Sequence, residues 1–175
     1  YLIHFMKKIL LTLALLSGFA VISFAQSSND GGKFSVGVEA GLPVGNASDF
    51  FGFVIGGSLK YEQPVASDVA VTITAGYSSF QGKTVTVAPG LSGKVKAAGF
   101  IPAKVGLKFN LAEAFYAEAQ VGAAFNTQSG GGTSFAYSPG IGYKFSDNVD
   151  LGVRYEGWSH NGTVSQIAAR LAYSF

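Results

Sequence analysis

The sequence predicts an all-β protein: an eight-stranded antiparallel transmembrane β-barrel of up-and-down topology, preceded by a cleavable signal peptide. Three observations predict this fold. Eight segments of about ten residues alternate apolar and polar side chains, as tilted membrane-spanning strands do. Short polar turns alternate with longer connections, which is typical of such barrels. The last segment, 163–175, keeps the period of a strand up to a terminal aromatic residue.

The amino-terminal segment has the three parts of a secretory signal. Met6 is followed by two lysines, by an apolar run to Ile22, and by Ser23 and Ala25 as the small residues of a cleavage site. The apolar run is shorter than the roughly 20 residues of a spanning helix, so we expect cleavage after Ala25. The predicted organisation is leader and signal peptide at 1–25, linker at 26–32 and outer-membrane β-barrel at 33–175.

Composition argues against several classes of protein. The chain has no cysteine, so disulfides cannot stabilise it. Charged residues make up only 13%, about half the usual share, whereas the outer wall of a soluble barrel would need more. Without the two lysines of the signal, the 12 basic residues become 10 and match the 10 acidic ones. No basic run remains, and we therefore expect no nucleic-acid partner.

Each predicted strand is placed by its alternation and by turn residues at its ends. In order, the strands are predicted at 33–42, 51–62, 69–80, 99–109, 115–125, 133–145, 149–158 and 163–175. The turns at 63–68, 110–114 and 146–148 are short, so we assign them to the periplasmic side, together with both ends of the barrel. Pro102 and Pro139 cannot donate to a ladder; we expect Pro102 near the upper rim, and Pro139 predicts a bulge or an early loss of pairing in its strand.

Charged side chains indicate which face of each strand looks into the barrel. They lie opposite the main apolar series, among glycine, alanine and serine. An outward Lys or Arg would cost about 2–4 kcal/mol at mid-bilayer, whereas a lumen of eight strands is just wide enough to be filled by side chains. A lipocalin-like soluble barrel would instead have to fit many aromatic rings inside. We predict a paired lumen charge network of Glu39, Lys60, Lys104, Glu118, Lys144, Arg154, Glu156 and Arg170.

Aromatic residues cluster near both ends of the predicted strands, as expected for two lipid–water interfaces. The lower band is predicted to contain Tyr61, Phe109, Phe115, Tyr143, Phe145, Tyr173 and Phe175. The upper band is predicted to contain Phe53, Tyr77, Phe80, Phe100, Phe125, Phe135 and Tyr155.

With these features, 33–175 resembles the small OmpA/OmpX-type outer-membrane β-barrel family. The resemblance rests on the eight alternating strands, on LGVRYEGWS at 151–159 and on the ending RLAYSF. It implies a place in the outer membrane of a Gram-negative-type envelope, surrounded by outer-membrane lipid. It also implies insertion by the barrel-assembly machinery, with Tyr173 and Phe175 as the assembly signal.

Two functions stay open. The first is a structural or interaction protein, in adhesion or envelope integrity, that meets an extracellular partner at its outer loops. Alternation at 83–87 predicts a ribbon above the membrane, whose exposed edge could recruit a partner by strand addition. The alternative is a narrow channel or carrier for small solutes, with the same charged residues lining a water-filled pore.

We expect no enzyme, cofactor or metal site. His160 follows Ser159, but neighbouring residues on a strand point to opposite faces. The region resembles the lipid A deacylase barrels in the spacing of Arg154 and Ser159, but Gly157 replaces their histidine. The mature chain has a single histidine and no cysteine, so the usual ligands of transition metals are also lacking.

Overall fold

The computed structural model describes residues 31–88, 91–128 and 130–175. The predicted signal peptide at 1–25 and most of the predicted linker lie outside the described residues. Within the described ranges, no helix is long and apolar enough to span a membrane.

The described chain is almost entirely β-structure. Its strands are β1 Lys33–Val44, β2 Phe51–Ala66, β3 Val69–Gly82, β4 Thr84–Ala88, β5 Leu91–Lys94, β6 Ala98–Asn110, β7 Phe115–Asn126, β8 Thr133–Lys144, β9 Val149–Ser159 and β10 Thr163–Ser174. One helical turn, α1 Ala47–Phe50, lies between β1 and β2. Most strands begin and end within two residues of their predicted bounds. The largest difference is in β2, which continues to Ala66 and leaves only a two-residue turn.

Eight of these strands close into one antiparallel barrel, in the order β1, β2, β3, β6, β7, β8, β9, β10 and back to β1. The seam between β1 and β10 is paired from Ser35 opposite Ser174 to Val44 opposite Ser165. Closure leaves no open edge in the wall, and lipid requires this because it offers no hydrogen bonds to backbone groups. Both ends of the described barrel lie at one end of the cylinder, here called the terminal end. The opposite end is called the loop end.

Pro102 and Pro139 are accommodated without a change of register. The ladder between β8 and β9 stops at Tyr137 and resumes at Gly140, so Pro139 falls in a gap of the pairing. A similar gap in the ladder between β3 and β6 contains Pro102. Pro139 therefore causes neither the predicted bulge nor an early loss of pairing, since the missing amide hydrogen interrupts one ladder and β8 continues to Lys144 without an added residue.

The segment between β3 and β6 forms a separate two-stranded ribbon of β4 and β5 at the loop end. The ribbon is paired from Thr84 opposite Lys94. At its foot the Val95 amide donates to the Lys83 carbonyl at 2.9 Å, and the Lys83 amide donates to the Phe50 carbonyl at 2.8 Å. The ribbon that the alternation predicted is thus present and is joined by backbone hydrogen bonds to the first loop.

The two faces of the barrel wall reverse the usual distribution of polarity. Large apolar side chains point outwards; Val38, for example, is 67% exposed. Charged side chains such as Glu156 point inwards and are completely buried. This arrangement suits a wall surrounded by hydrocarbon and agrees with the predicted orientation of the strands.

Two members of the predicted upper aromatic band do not face the lipid. Phe80 and Phe100 are buried inside the barrel, whereas Phe53, Tyr77 and Phe135 are exposed on the wall. The placement of Phe80 and Phe100 at the interface was therefore wrong. Both residues are in phase with the inward, not the outward, positions of their strands, so alternation itself carries them into the lumen.

Candidate functional site in the barrel lumen

A chain of four charges of alternating sign crosses the middle of the lumen. Arg154 Nη2 lies 2.7 Å from Glu39 Oε2 and 3.3 Å from Glu156 Oε2. Glu156 also pairs with Lys104, and both side chains are almost inaccessible to solvent. Arg154 and Glu156 are two residues apart on β9 and therefore share its inward face. Their partners come from β1 and β6, so the chain of charges joins strands from different parts of the wall.

Neutral donors supply the remaining contacts of these carboxylates. Gln166 Nε2 donates to Glu156 Oε2 at 2.9 Å, and Ser58 Oγ donates to Glu39 Oε1 at 2.6 Å. Arg170 Nε donates to Ser58 Oγ at 2.8 Å and lies 3.8 Å from Glu39 Oε1. Each buried carboxylate thus has both a cation and a neutral donor, which is the condition under which buried ion pairs are tolerated.

Arg170 fits because Gly37, two residues from its partner Glu39 on β1, has no side chain. A Cβ added to Gly37 would come within 2.6 Å of Arg170 Nε. The glycines interleaved with the charges on the inward face therefore have a steric role here, because they leave room for long side chains in a narrow barrel.

A second ion pair lies nearer the terminal end. Lys60 Nζ is 3.1 Å from Glu118 Oε2. Gln120 Nε2 donates to Glu118 Oε1 at 2.9 Å and to Thr74 Oγ1 at 2.8 Å. The inward polar residues of β2, β3 and β7 are thereby joined in one hydrogen-bonded group.

A third set, which the predicted network did not include, lies at the terminal mouth. Lys108 Nζ contacts both carboxylate oxygens of Glu62, at 3.0 and 2.8 Å. The Tyr116 hydroxyl donates to Asp150 Oδ1 at 2.6 Å, and Lys108 Nζ lies 4.2 Å from the centre of the Tyr116 ring. The signal was present in the sequence, since these charges share the inward face with the predicted ones.

Seven of the eight predicted network residues form ion pairs, and Lys144 is the exception. Its Nζ donates to Asn110 Oδ1 at 2.7 Å, and it pairs with no carboxylate among the described residues. Lys144 ends β8 at the terminal mouth, where water can solvate its ammonium group, so its inclusion in the paired network needs correction.

The loop end of the lumen is filled by apolar side chains rather than charges. Trp158 is 1% exposed, and its ring centre lies 5.3 Å from that of Phe80 and 4.7 Å from that of Phe100. We call the buried cluster around them the apolar cap: Val54, Phe80, Ala98, Phe100, Ala124, Ala136 and Trp158. Sequence analysis missed this cap, although Trp158 is in phase with Arg154 and Glu156 on β9.

The described part of the lumen contains a central cavity and a wider vestibule. A central cavity of about 30 Å³ lies among Lys60, Glu118, Arg154 and Arg170. It could hold about two water molecules, since one needs roughly 10–15 Å³. A vestibule of about 250 Å³ opens at the terminal mouth and is lined by charged residues of both signs. Above the central cavity, the charges and then the apolar cap occupy the axis.

This architecture matches one protein family over nearly the whole chain. Residues 11–175 match the family described as the outer membrane protein beta-barrel domain. The chain belongs to this family. It is therefore a protein of the outer membrane of Gram-negative bacteria, and the apolar outer wall is its lipid-facing surface.

Solved structures show the same fold. Ail of Yersinia pestis in a phospholipid nanodisc is 17% identical, with a TM-score of 0.57 over 82% of this chain and 99% of that one. The N-terminal barrel of Pseudomonas aeruginosa OprF is 15% identical, with a TM-score of 0.53 over 81% and 97%. The de novo designed barrel TMB2.3 is 22% identical, with a TM-score of 0.53 over 84% and 97%. No curated protein matches the sequence.

The described part of the barrel does not join Arg154, Ser159 and His160 in one hydrogen-bonded group. Arg154 is held by Glu39 and Glu156, away from the loops. No described hydrogen bond joins Ser159 to His160, whose amide donates to the Gly162 carbonyl. No group of three or more potential metal ligands occurs among the described residues.

The predicted assembly signal lies on the lipid-facing side of the seam. Tyr173 and Phe175 are exposed, and their ring centres are 6.3 Å apart. The Phe175 amide donates to the Phe34 carbonyl at 2.9 Å, which extends the pairing of β10 with β1 to the last residue. These rings lie at the terminal end of the strand that closes the barrel.

Proposed function

We propose that this outer-membrane barrel is a closed structural and interaction protein that works through its outer loops, in adhesion or in envelope integrity. In this proposal the loop end faces the exterior and the terminal end faces the periplasm. The main support for this proposal is that two groups of side chains fill the lumen: paired charges in the middle and the apolar cap on the side of the loop end.

The charged middle of the lumen opposes transport because its residues are already paired. A passing ion would have to separate pairs such as Arg154 with Glu39, and breaking one buried pair costs about 3–5 kcal/mol. The apolar cap adds a second barrier, since Phe80, Phe100 and Trp158 offer a hydrated ion no replacement for its water. A channel or carrier is therefore the weaker hypothesis.

The projecting ribbon is the part of the loop end best suited to meet a partner. Among the described residues, β4 and β5 pair only with each other, so each strand has one free edge for strand addition. Ail, which has the same fold, is described as the attachment invasion locus protein of Yersinia pestis and was solved with the heparin analogue sucrose octasulfate. This precedent supports an adhesive role for the loop end.

The seam residues support a role in assembly. We assign Tyr173 and Phe175 to recognition by the barrel-assembly machinery, because both are exposed on the last strand and neither contributes to the packing of the lumen. Their aromatic side chains would remain available until β10 closes on β1.

A conductance measurement tests the closed lumen. Protein refolded into a planar bilayer should show no steady current, whereas a steady ion-selective current would overturn the proposal in favour of the channel. A second measurement tests the loops.

Cells that express the barrel with residues 84–94 replaced by a short glycine–serine turn should attach less to epithelial cells or survive detergent stress less well. Normal behaviour in both assays would exclude an interaction role for the ribbon.

A further inference from the structure

Charge is divided unevenly between the connections at the two ends of the barrel. Those at the terminal end contain three acidic residues and no basic one: Asp68, Glu113 and Asp147. Those at the loop end contain three lysines and one acidic residue: Asp49, Lys83, Lys94 and Lys96. All three lysines belong to the single segment that carries the ribbon. The positive charge of the loop end is therefore concentrated on one side of the barrel.

Two of these lysines line a groove at the foot of the ribbon. The groove has a volume of about 630 Å³ and is bounded by Phe53, Gln81, Gly82, Lys94, Val95, Lys96 and Ala97. Lys94 ends β5 and Lys96 follows it by two residues, and both line the groove. Gly82 allows Val95 to lie close to β3 in the wall of the groove, because an added Cβ at position 82 would come within 1.9 Å of the Val95 carbonyl oxygen.

The groove is continuous with the lipid-facing wall. Phe53 belongs to the outward face of β2 and is half exposed, in the upper aromatic band that marks the lipid–water interface. The lysines lie on the loop side of this ring. The groove thus has an apolar lower end at the edge of the membrane and a positively charged upper end outside it.

The two groove lysines have no partner in the part of the chain that the structure describes. Lys94 and Lys96 are exposed and form neither an ion pair nor a side-chain hydrogen bond with any described residue. Lys83 differs, because its Nζ donates to the Ser48 carbonyl at 2.8 Å and holds the first loop against the ribbon. Among the three lysines of the loop end, only the two in the groove thus lack a described hydrogen-bond partner.

We propose that this groove binds the phosphorylated headgroup of an outer-leaflet lipid, with Lys94 and Lys96 on the phosphate and Phe53 against the first part of the acyl chain. Position favours a lipid over a soluble polyanion: the charges are at the foot of the ribbon, at the level of the membrane surface, whereas the described residues nearer its tip are uncharged. The proposal concerns the membrane side of the loops and does not depend on an adhesive partner at the ribbon.

The test uses protein purified from outer membranes, transferred to nanodiscs of phosphatidylcholine and titrated with bisphosphorylated lipid A while native mass spectrometry counts bound lipids. Lys94→Gln with Lys96→Gln should weaken binding about 30-fold, since each lysine near an anionic surface contributes about five-fold. Lys83→Gln removes the same charge from the same segment but outside the groove, and should change the affinity little. Unchanged heat-modifiable migration in electrophoresis shows that each variant is folded.

Three comparisons identify the ligand. Dephosphorylated lipid A should bind the wild type as weakly as lipid A binds the double variant. Inorganic phosphate and heparin should compete poorly, because neither engages Phe53. The proposal is overturned if the double variant binds lipid A as well as the wild type does. It is also overturned if heparin displaces lipid A at equal phosphate and sulfate concentrations, which would indicate a site for soluble polyanions.

Discussion

The charged middle of the lumen and the apolar cap fill the same barrel by different means. In the middle, Arg154, Glu156 and their partners are held by directional contacts between opposite charges. In the cap, Trp158, Phe80 and Phe100 are held by shape and by the exclusion of water. A charged network fails when one partner is lost, because the other remains buried, whereas an apolar cluster loses stability in proportion to the volume removed. The two regions should therefore respond differently to single substitutions.

The largest effect is expected in the charged middle. Arg154→Ala leaves Glu39 with only the more distant Arg170 and Glu156 with only Lys104, which should reduce the free energy of unfolding by about 3–5 kcal/mol if the site is dry. Urea unfolding of the refolded barrel in lipid vesicles measures this loss. Lys83→Ala, in the exposed ribbon segment, serves as the control and should change stability little. Equal stability of the two variants would show that water replaces the missing cation.

The apolar cap should give the next largest effect. Trp158→Ala removes the largest ring of the cap, and such changes in protein cores cost about 3–5 kcal/mol. We expect the lower end of that range, because the hole lies next to the loop end and can partly collapse. The same variant should remain closed to ions in a planar bilayer, since the charges below it are intact. A steady current through Trp158→Ala would show that the apolar cap alone, and not the paired charges, blocks the passage of ions.

A smaller effect is expected at the terminal mouth, where the lumen is wet. Tyr116→Phe removes the hydroxyl that donates to Asp150, and a buried acceptor left without its donor costs about 1–3 kcal/mol. The vestibule lets water reach Asp150, so the cost should lie near 1 kcal/mol in urea unfolding. A loss as large as that of Arg154→Ala would indicate that the mouth is as dry as the middle.

The smallest effect on stability is expected outside the lumen, at the seam. Phe175→Ala removes a side chain that takes no part in the packing of the lumen, so the refolded barrel should lose no more stability than a refolded Phe145→Ala barrel does. The amount inserted in cells should nevertheless fall, measured by heat-modifiable migration of outer-membrane fractions. Phe145→Ala, another exposed aromatic residue at the same end, is the matched control. Normal insertion of Phe175→Ala would contradict the assembly role.

Alternation along the chain was sufficient to predict the strands and their two faces. A period of two residues with apolar side chains on one side is a local property, so it predicted the lipid-facing wall, the inward charges and the ribbon. The same parity placed Phe80, Phe100 and Trp158 inside. Phe80 and Phe100 lie near the ends of their strands, as interface residues do, but they alternate with the outward residues and therefore face the lumen.

Only the closed barrel determined which inward residues meet and at what height. Lys104 pairs with Glu156 across 52 positions of sequence, and Arg154 with Glu39 across 115. Alternation assigns a residue to a face but not to a level, because the level depends on the stagger between neighbouring strands and on the closure of β10 onto β1. The same stagger places Lys144 at the wet terminal mouth, where it faces Asp150 across the ladder but donates to Asn110 instead, and it brings residues from six strands together in the apolar cap.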